Sequence, residues 1–457
     1  MGARTLPEDP SFPQLGIAGD PETMRKVFQR HLLPLGEEAY HVRDCRLSGV
    51  RYGRDATRCV LQYTLRLAEA DTGYERIQWV TGVIYYAGDQ ARRRWEKLRT
   101  FDPGEIPDVF ATFEPFSFIP ELGMLVEVFP YDRRLPTLPL LMAGPSPELE
   151  PLLLARFGPG DWHTEAWNVE PIRYRAEWRA ILRLTVRAQD DATGATEERR
   201  FYIKVYRNER GEQTYRTLQA LRGIADAGGG FTVGGTVAYL SHLRALVLEE
   251  APGTSLEQVL LRDRGTVEAA RKVARALAAF NQTDVTATRR HPLSDQVATL
   301  ERSGNVLRKA CPQLRAEIEA ITDAIVAGLE EVQPRPTHLD LKADHAFLDG
   351  ERVIFIDFDG FAGADPVLDP ALLLARLAAM PDRLPLPRRR IQTAAQAFAE
   401  EYFARVPRAW RGRLPLHYAG ALLRVAPGFF RRQEPGWPGR IATLVEEARD
   451  SVEGRIW

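Results

Sequence analysis

Cysteine, lysine and long apolar runs are what this 457-residue chain has least of. Cys45, Cys59 and Cys311 lie far apart with no CxxC pair, which excludes a disulfide framework and a zinc ribbon; they read as buried apolar thiols in a reducing compartment. The richest apolar stretch, Pro370 to Met380, is broken by an Arg well short of a membrane span, and the first residues lack the apolar core of a signal peptide. The expectation is a cytoplasmic protein with no membrane partner. Net charge is nearly absent too, with 61 Lys and Arg against 62 Asp and Glu. There is therefore no bulk basic field for nucleic acid. Lysine occurs only at 26, 97, 204, 272, 309 and 342, the remaining basic charge being Arg, so a Lys retained inside a motif carries weight.

What is present begins with a repeat. Residues 51–67 match 173–186, 83–98 match 203–218, and Gly123 to Asp132 match Arg244 to Gly253, all at an offset of about 121. The helix-like segments Pro21 to Phe28 and Pro147 to Leu154 correspond more loosely. Alternation in Cys59 to Leu67, Ala180 to Val186 and Phe201 to Tyr206 predicts antiparallel strands, with a polar turn over Ala188 to Arg200 joining the last two. Tyr215, Leu218, Leu221 and Ile224 recur at helical spacing before Gly228-Gly229-Gly230. The strand Ala245 to Glu249 then runs into Ala251-Pro252-Gly253. Beyond residue 255 the pattern turns helical, over Val267 to Phe280, Leu314 to Glu330 and most of 386–457, with one short β insertion at 345–357.

Chemistry concentrates between Thr337 and Asp369. A short hairpin, Ala346 to Leu348, Asp349-Gly350, then Val353 to Ile356, places Asp340 before its first strand and Asp357 after its second. Pairing brings both carboxylates to one rim, as phosphoryl transfer requires: one orients the accepting hydroxyl and the other holds a cation on the phosphates. An isolated Asp after prolines more often caps a turn, but His338, Lys342 and Asp357 at these spacings favour chemistry for Asp340. Asp357 follows four apolar residues and would be a costly buried charge unless paired or metal-bound.

His338, Asp340 and His345, followed by Asp357-Phe358-Asp359 and then Asp365-Pro366 and Asp369, resemble the catalytic segment of the kinase-like superfamily, in its aminoglycoside and choline phosphotransferase branch. The resemblance covers roughly residues 170–380. It implies an α+β, protein-kinase-like bilobal fold with an antiparallel-sheet small lobe and a mainly helical large lobe. It also implies an ATP-dependent phosphotransferase acting on a hydroxyl of a small polar metabolite such as a sugar or amino sugar. Catalytic roles then fall to Asp340, Lys342 and His338, the last as a scaffold; phosphate binding falls to Lys204, adenine binding to the hinge Glu249, Glu250 and Ala251, and Mg²⁺, or Mn²⁺, to Asp357 and His345. His345 stands where relatives have an Asn, and imidazole is a softer ligand than a carbonyl, which points toward Mn²⁺ and toward metal loss near pH 6.5. Thr214 stands where relatives have the Glu that pairs the Lys, and no Gly-rich phosphate loop is visible in Ile172 to Leu182.

The repeat divides the chain into residues 1–145, a degenerate small-lobe-like copy in which Ile84 or a neighbour replaces Lys204; 146–255, the nucleotide-binding small lobe; and 256–457, the helical catalytic lobe. The first copy would serve as a cap, a dimer surface, for a homodimer or a partner protein, or a substrate-specific wall. The rival functional class is an inactive pseudokinase that binds nucleotide as a scaffold. A protein kinase is disfavoured, since no activation segment fits between Asp357 and Asp369.

Overall fold

The computed structural model describes residues 6–457 other than 54–56, 101–109, 111, 227, 229, 263 and 385, so Gly229 of the Gly-Gly-Gly run and part of the first repeat block lie outside the described residues. It is an α+β structure that divides into two compact units. One holds residues up to 209 with 237–247 and 430–435; the other holds 210–236, 248–429 and 436–457.

The first unit contains strands β1 (Tyr40–Tyr52), β2 (Arg58–Glu69), β3 (Glu75–Tyr85), β4 (Phe116–Ile119) and β5 (Met124–Val128), then β6 (Trp162–Arg175), β7 (Arg179–Asp190) and β8 (Thr196–Tyr206). Further on, β9 (Thr232–Val233) belongs to another sheet, whereas β10 (Thr236–Leu240) and β11 (Ala245–Glu249) join β8. The first sheet runs β1-β2-β3-β5-β4 and the second β6-β7-β8-β11-β10. These are the same order: a three-strand meander, then a hairpin whose later strand lies inside. In both, a helix follows the third strand, Gln90–Leu98 in one case and Arg210–Asp226 in the other. Register matches as well, since Val60 pairs with Val83 in the first sheet and Ile181 with Lys204 in the second. The counterpart of Lys204 by register is thus Val83, a neighbour of the Ile84 suggested by sequence.

Alternation decides which face is dry. In β7 and β8, Ala180, Leu182, Leu184, Ile203 and Val205 share a core with Val247, leaving Ile181 and Lys204 on the opposite face. The turn between β7 and β8 is shorter than the sequence suggested, because both strands continue to Asp190 and from Thr196, with Gly194 at φ 70° closing the reversal. All three cysteines are buried and none is in a disulfide.

The second unit has strands β12 (Thr254–Ser255), β13 (Arg335–Thr337), β14 (Ala346–Asp349), β15 (Arg352–Phe355) and β16 (Ala362–Ala364), in a four-stranded sheet β12-β14-β15-β9 and a β13-β16 pair. The rest is helical, including Thr266–Asn281, Leu293–Ala310, Arg315–Gly328, Leu368–Ala378, Arg388–Phe403, Leu414–Val425 and Trp437–Val452. Helix Arg210–Asp226 groups with this unit rather than with the sheet it follows in sequence. Among the described residues no helix is long and apolar enough to cross a membrane.

Candidate active site

Two antiparallel pairings build the site in the second unit. β13 pairs with β16, so the chain leaves Thr337 directly into His338–Lys342. β14 pairs with β15, with Gly350 at φ 63° in the turn, and returns the chain to Asp357. The loop is held from beneath by Asp369, fully buried, whose two oxygens accept from the backbone N–H of His338 and of Leu339, both at 2.8 Å. Asn281 donates to the same carboxylate at 3.0 Å and to Pro336 O at 2.8 Å, and Tyr402 donates to Asn281 at 2.9 Å. Leu339 and Asp357 are in the left-handed region, at φ 63° and 65°. Such conformations persist only where surrounding bonds over-determine them.

His338 is buried, its Nε2 against Ile356 O at 2.9 Å and its Nδ1 accepting from the Asp340 N–H at 3.3 Å. One nitrogen donates and the other accepts, which fixes a neutral, orienting ring. Its ring packs on Phe358 at 4.6 Å. Gly360 is needed alongside it, since a Cβ there would lie 2.5 Å from His338 O. Asp359 has turn and docking roles: its carbonyl accepts from Arg210 at 2.7 Å and its carboxylate from Thr214 at 3.3 Å. Thr214, in the place where a Glu was sought, therefore bonds this turn.

Asp340, Lys342, His345 and Asp357 form one chain of polar contacts. Lys342 Nζ lies 3.6 Å from Asp340 Oδ2 and 3.2 Å from His345 Nε2, and that nitrogen lies 3.5 Å from Asp357 Oδ2. Asp340 keeps 30% of its side chain exposed and also accepts from Arg376 at 2.7 Å. Burial alone would raise its pKa, but Lys342, Arg376, His345 and Arg424 together hold it well below the usual carboxylate range. It is ionised at any working pH. For His345, burial and then Lys342 push the ring down to about 4 against the opposing pull of Asp357, Asp344 and Asp340. That corrects the expectation of a titration near pH 6.5: the imidazole is neutral throughout the physiological range, and its Nδ1 is buried without a hydrogen-bond partner.

Sequence reasoning missed Arg376, Arg424 and Asn281. Arg424 donates to Leu339 O at 2.7 Å, tying the His338–Lys342 loop to helix Leu414–Val425. Arg376 had a signal, being the lone charge in the apolar stretch used to exclude a membrane span. Asp365, noted as part of the motif, is engaged elsewhere, by Arg413 through two bonds of 2.9 Å and by His417 at 2.9 Å. Its role is structural.

The remaining predicted residues are distributed between the units. Lys204 belongs to the first, mid-strand on β8 and 5% exposed. The chain passes from Val247 into the second unit at Leu248, and Glu249, Glu250 and Ala251 lead from β11 toward β12. The Glu249 N–H donates to Gly235 O at 3.0 Å, while Glu250 is exposed. Gly253, at φ 88°, permits the crossover, since a Cβ there would meet Leu348 O at 2.2 Å.

Residues 182–413, more than half of the chain, match the phosphotransferase enzyme family, APH. The chain belongs to that family. Membership of a phosphotransferase enzyme family favours an enzyme over the scaffold reading, on the α+β architecture described above. Solved structures similar to it include a Plasmodium vivax ethanolamine kinase, 11% identical over 64% of this chain and 85% of that one, with a TM-score of 0.43. APH(2")-IIia in its GDP and kanamycin complex is 14% identical over 63% and 94%, with a TM-score of 0.41. The choline kinase LicA of Streptococcus pneumoniae is 12% identical over 63% and 93%, at 0.41. None of the curated proteins matches the sequence.

Proposed function

We propose that this phosphotransferase moves the γ-phosphoryl group of ATP to a hydroxyl of a small polar metabolite, a sugar or amino sugar, in the cytoplasm. The observation that carries the reading is the ionised, partly exposed Asp340 in one polar chain with Lys342, His345 and Asp357. Asp340 accepts the proton of the acceptor hydroxyl, and Arg376 and Leu339 O, through Arg424, keep the loop in place while it does so. Lys342 offers an ammonium beside that carboxylate, suited to charge on the phosphoryl group in transit. Lys204 pairs with the phosphates, and the backbone of Glu249, Glu250 and Ala251 receives the adenine.

A divalent cation fits Asp357, a carboxylate held at one rim with Asp340, and Mg²⁺ sites need only one or two carboxylates beside substrate phosphates. His345, neutral and close to Asp357, is the second ligand. Among the described residues no group of three acidic, His or Cys side chains could hold a metal, so the phosphates complete the site. When bound, the cation neutralises phosphate oxygens. We further propose that residues 1–145 are a degenerate copy of the small lobe in 146–255, with 256–457 as the catalytic lobe; the shared strand order supports this.

The test is incubation with ATP, Mg²⁺ or Mn²⁺ and a panel of sugars and aminoglycosides, reading acceptor-dependent ADP release. Asp340→Asn should lose turnover by roughly 10²–10⁴-fold, the usual share of a general base, with nucleotide affinity nearly intact. Unaltered turnover removes Asp340 from the mechanism, and ATP binding without transfer to any acceptor favours the scaffold.

A further inference from the structure

The turn that joins β6 and β7, Ala176-Glu177-Trp178, occupies the place of a phosphate loop in the second sheet, yet it carries no glycine, and its Ala176 and Glu177 are buried. Its anchorage lies in the first sheet. Ala176 is 1% exposed in one apolar cluster with Val60, Val83, Tyr85, Ala91 and Leu125. Val83 is the register counterpart of Lys204, so this turn fills the face of the first sheet that corresponds to the Lys204 face of the second.

Polar bonds lock it there. Glu177 has φ 62° and a side chain 1% exposed, and its carboxylate meets Arg133, Arg58 Nη2 at 2.9 Å and Arg51 Nη2 at 3.5 Å. Its N–H donates to Asp132 Oδ2 at 2.6 Å, and Tyr174 OH donates to the same oxygen at 2.9 Å. Arg51 Nη2 also donates to Ala176 O at 2.7 Å. Asp132 and Arg133 follow β5 in the first sheet, where the second sheet has Gly253 and its crossover. Removing one partner from a buried ion pair is strongly destabilising, so this lock is costly to break.

The far side of the same turn is basic. Arg175 pairs directly with Arg179 across it, and Arg179 stands two residues before Ile181, the partner of Lys204, hence on the Lys204 face. The Arg175 and Arg207 guanidiniums sit 4.7 and 4.9 Å from the Trp178 ring. Desolvation and then the like charges of Arg51, Arg431, Arg179 and Arg173 push Arg175 down to about 9, as expected where guanidiniums converge.

We infer that the first sheet is a clasp for the β6–β7 turn, with Glu177 as its positioning residue, and that the turn so held presents Arg175 and Arg179 to the phosphates of the nucleotide. The inference rests on reading the Lys204 face as the nucleotide site. Glycine-rich loops bind phosphate through backbone amides and stay mobile; here a fixed turn substitutes guanidiniums, which form paired bonds to phosphate oxygens. Fixing the turn beforehand removes an ordering cost from binding. It also leaves the first sheet with no open ligand face at Val83.

The experiment uses the full chain. Glu177→Gln should raise KM for ATP roughly tenfold with kcat held within about twofold, and amide exchange across 174–179 should quicken. Tyr174→Phe removes one hydroxyl from the same lock and should act in the same direction by a few-fold, which keeps the test decisive if Glu177→Gln does not fold. Glu170→Gln, a surface change on β6, should alter neither reading. Quickened exchange with unchanged KM in both lock variants overturns the clasp, as does a fall confined to kcat. Lys204→Ala, run in parallel, separates the two failures: ATP affinity unchanged there condemns the Lys204 face itself and the clasp with it, whereas weakened affinity there beside unchanged KM in the lock variants condemns the clasp alone.

Discussion

Asp340 shows how neighbours, rather than residue type, set a group's chemistry. Burial raises a carboxylate's pKa, and here the cations Lys342, Arg376 and Arg424 more than reverse that. Replacing Arg376 by Leu removes one of them without touching substrate, so the acid limb of the kcat/KM profile should move to higher pH; a profile that stays in place would mean that another group limits activity in acid. His345 is depressed too, but there burial itself is the leading cause. Its folded pKa of about 4 lies below the 6.5 of an unfolded His, so the unfolded chain takes up a proton that the folded chain refuses, and stability falls as pH drops through that window. Between pH 7 and pH 5 this amounts to about 2 kcal/mol, read by denaturant titration, and His345→Asn should abolish that share of the loss. The same variant tests metal choice: a ligating imidazole favours Mn²⁺ over Mg²⁺, and Asn should shift the preference back, whereas identical dependences would leave Asp357 without His345.

At the scale of elements, the two five-stranded sheets share a strand order but not a residue at the decisive position. Val83 on β3 is buried among apolar side chains, and Lys204 on β8 faces away from the core formed by Ile203 and Val205. Lys204→Ala should therefore weaken ATP binding directly, while Val83→Ala should lower stability by about 1–2 kcal/mol, from lost burial, and touch ATP affinity only through the β6–β7 turn that packs on it. Isothermal titration with a non-hydrolysable ATP analogue checks the first and thermal denaturation the second. Nucleotide cross-linked to β3 would reverse the assignment. The hairpin of β14 and β15 was legible because Asp349-Gly350 is a strong turn signal between apolar runs. The length of β7 and β8 was not, because Glu197, Glu198, Arg199 and Arg200 read as loop until cross-strand pairing is known.

For the whole molecule, ligand binding is read as stability. ATP with its cation at a hundred times its dissociation constant adds about 2.7 kcal/mol to the folded state. Wild type and Asp340→Asn should show the same thermal shift, because Asp340 acts on the acceptor, and Lys204→Ala a smaller one. A shift lost in Asp340→Asn would place that residue in nucleotide binding instead.

Local order fixed much in advance. The repeat, the strand periods, the helical second half and the Asp340 to Asp357 spacing are properties of neighbours along the chain, and a single sequence displays them. Tertiary structure alone decided the rest. Arg376, Arg424 and Asn281 reach the segment around Asp340 from helices distant in sequence, and the neutrality of His345 depends on burial and on the Lys342 ammonium. The turn at Glu177, which reads as a phosphate loop without glycines, is explained only by Arg51, Arg58, Asp132 and Arg133, contributed from another sheet. Charges and cavities are set by what lies close in space, and periodicity along a chain carries no record of distance across it.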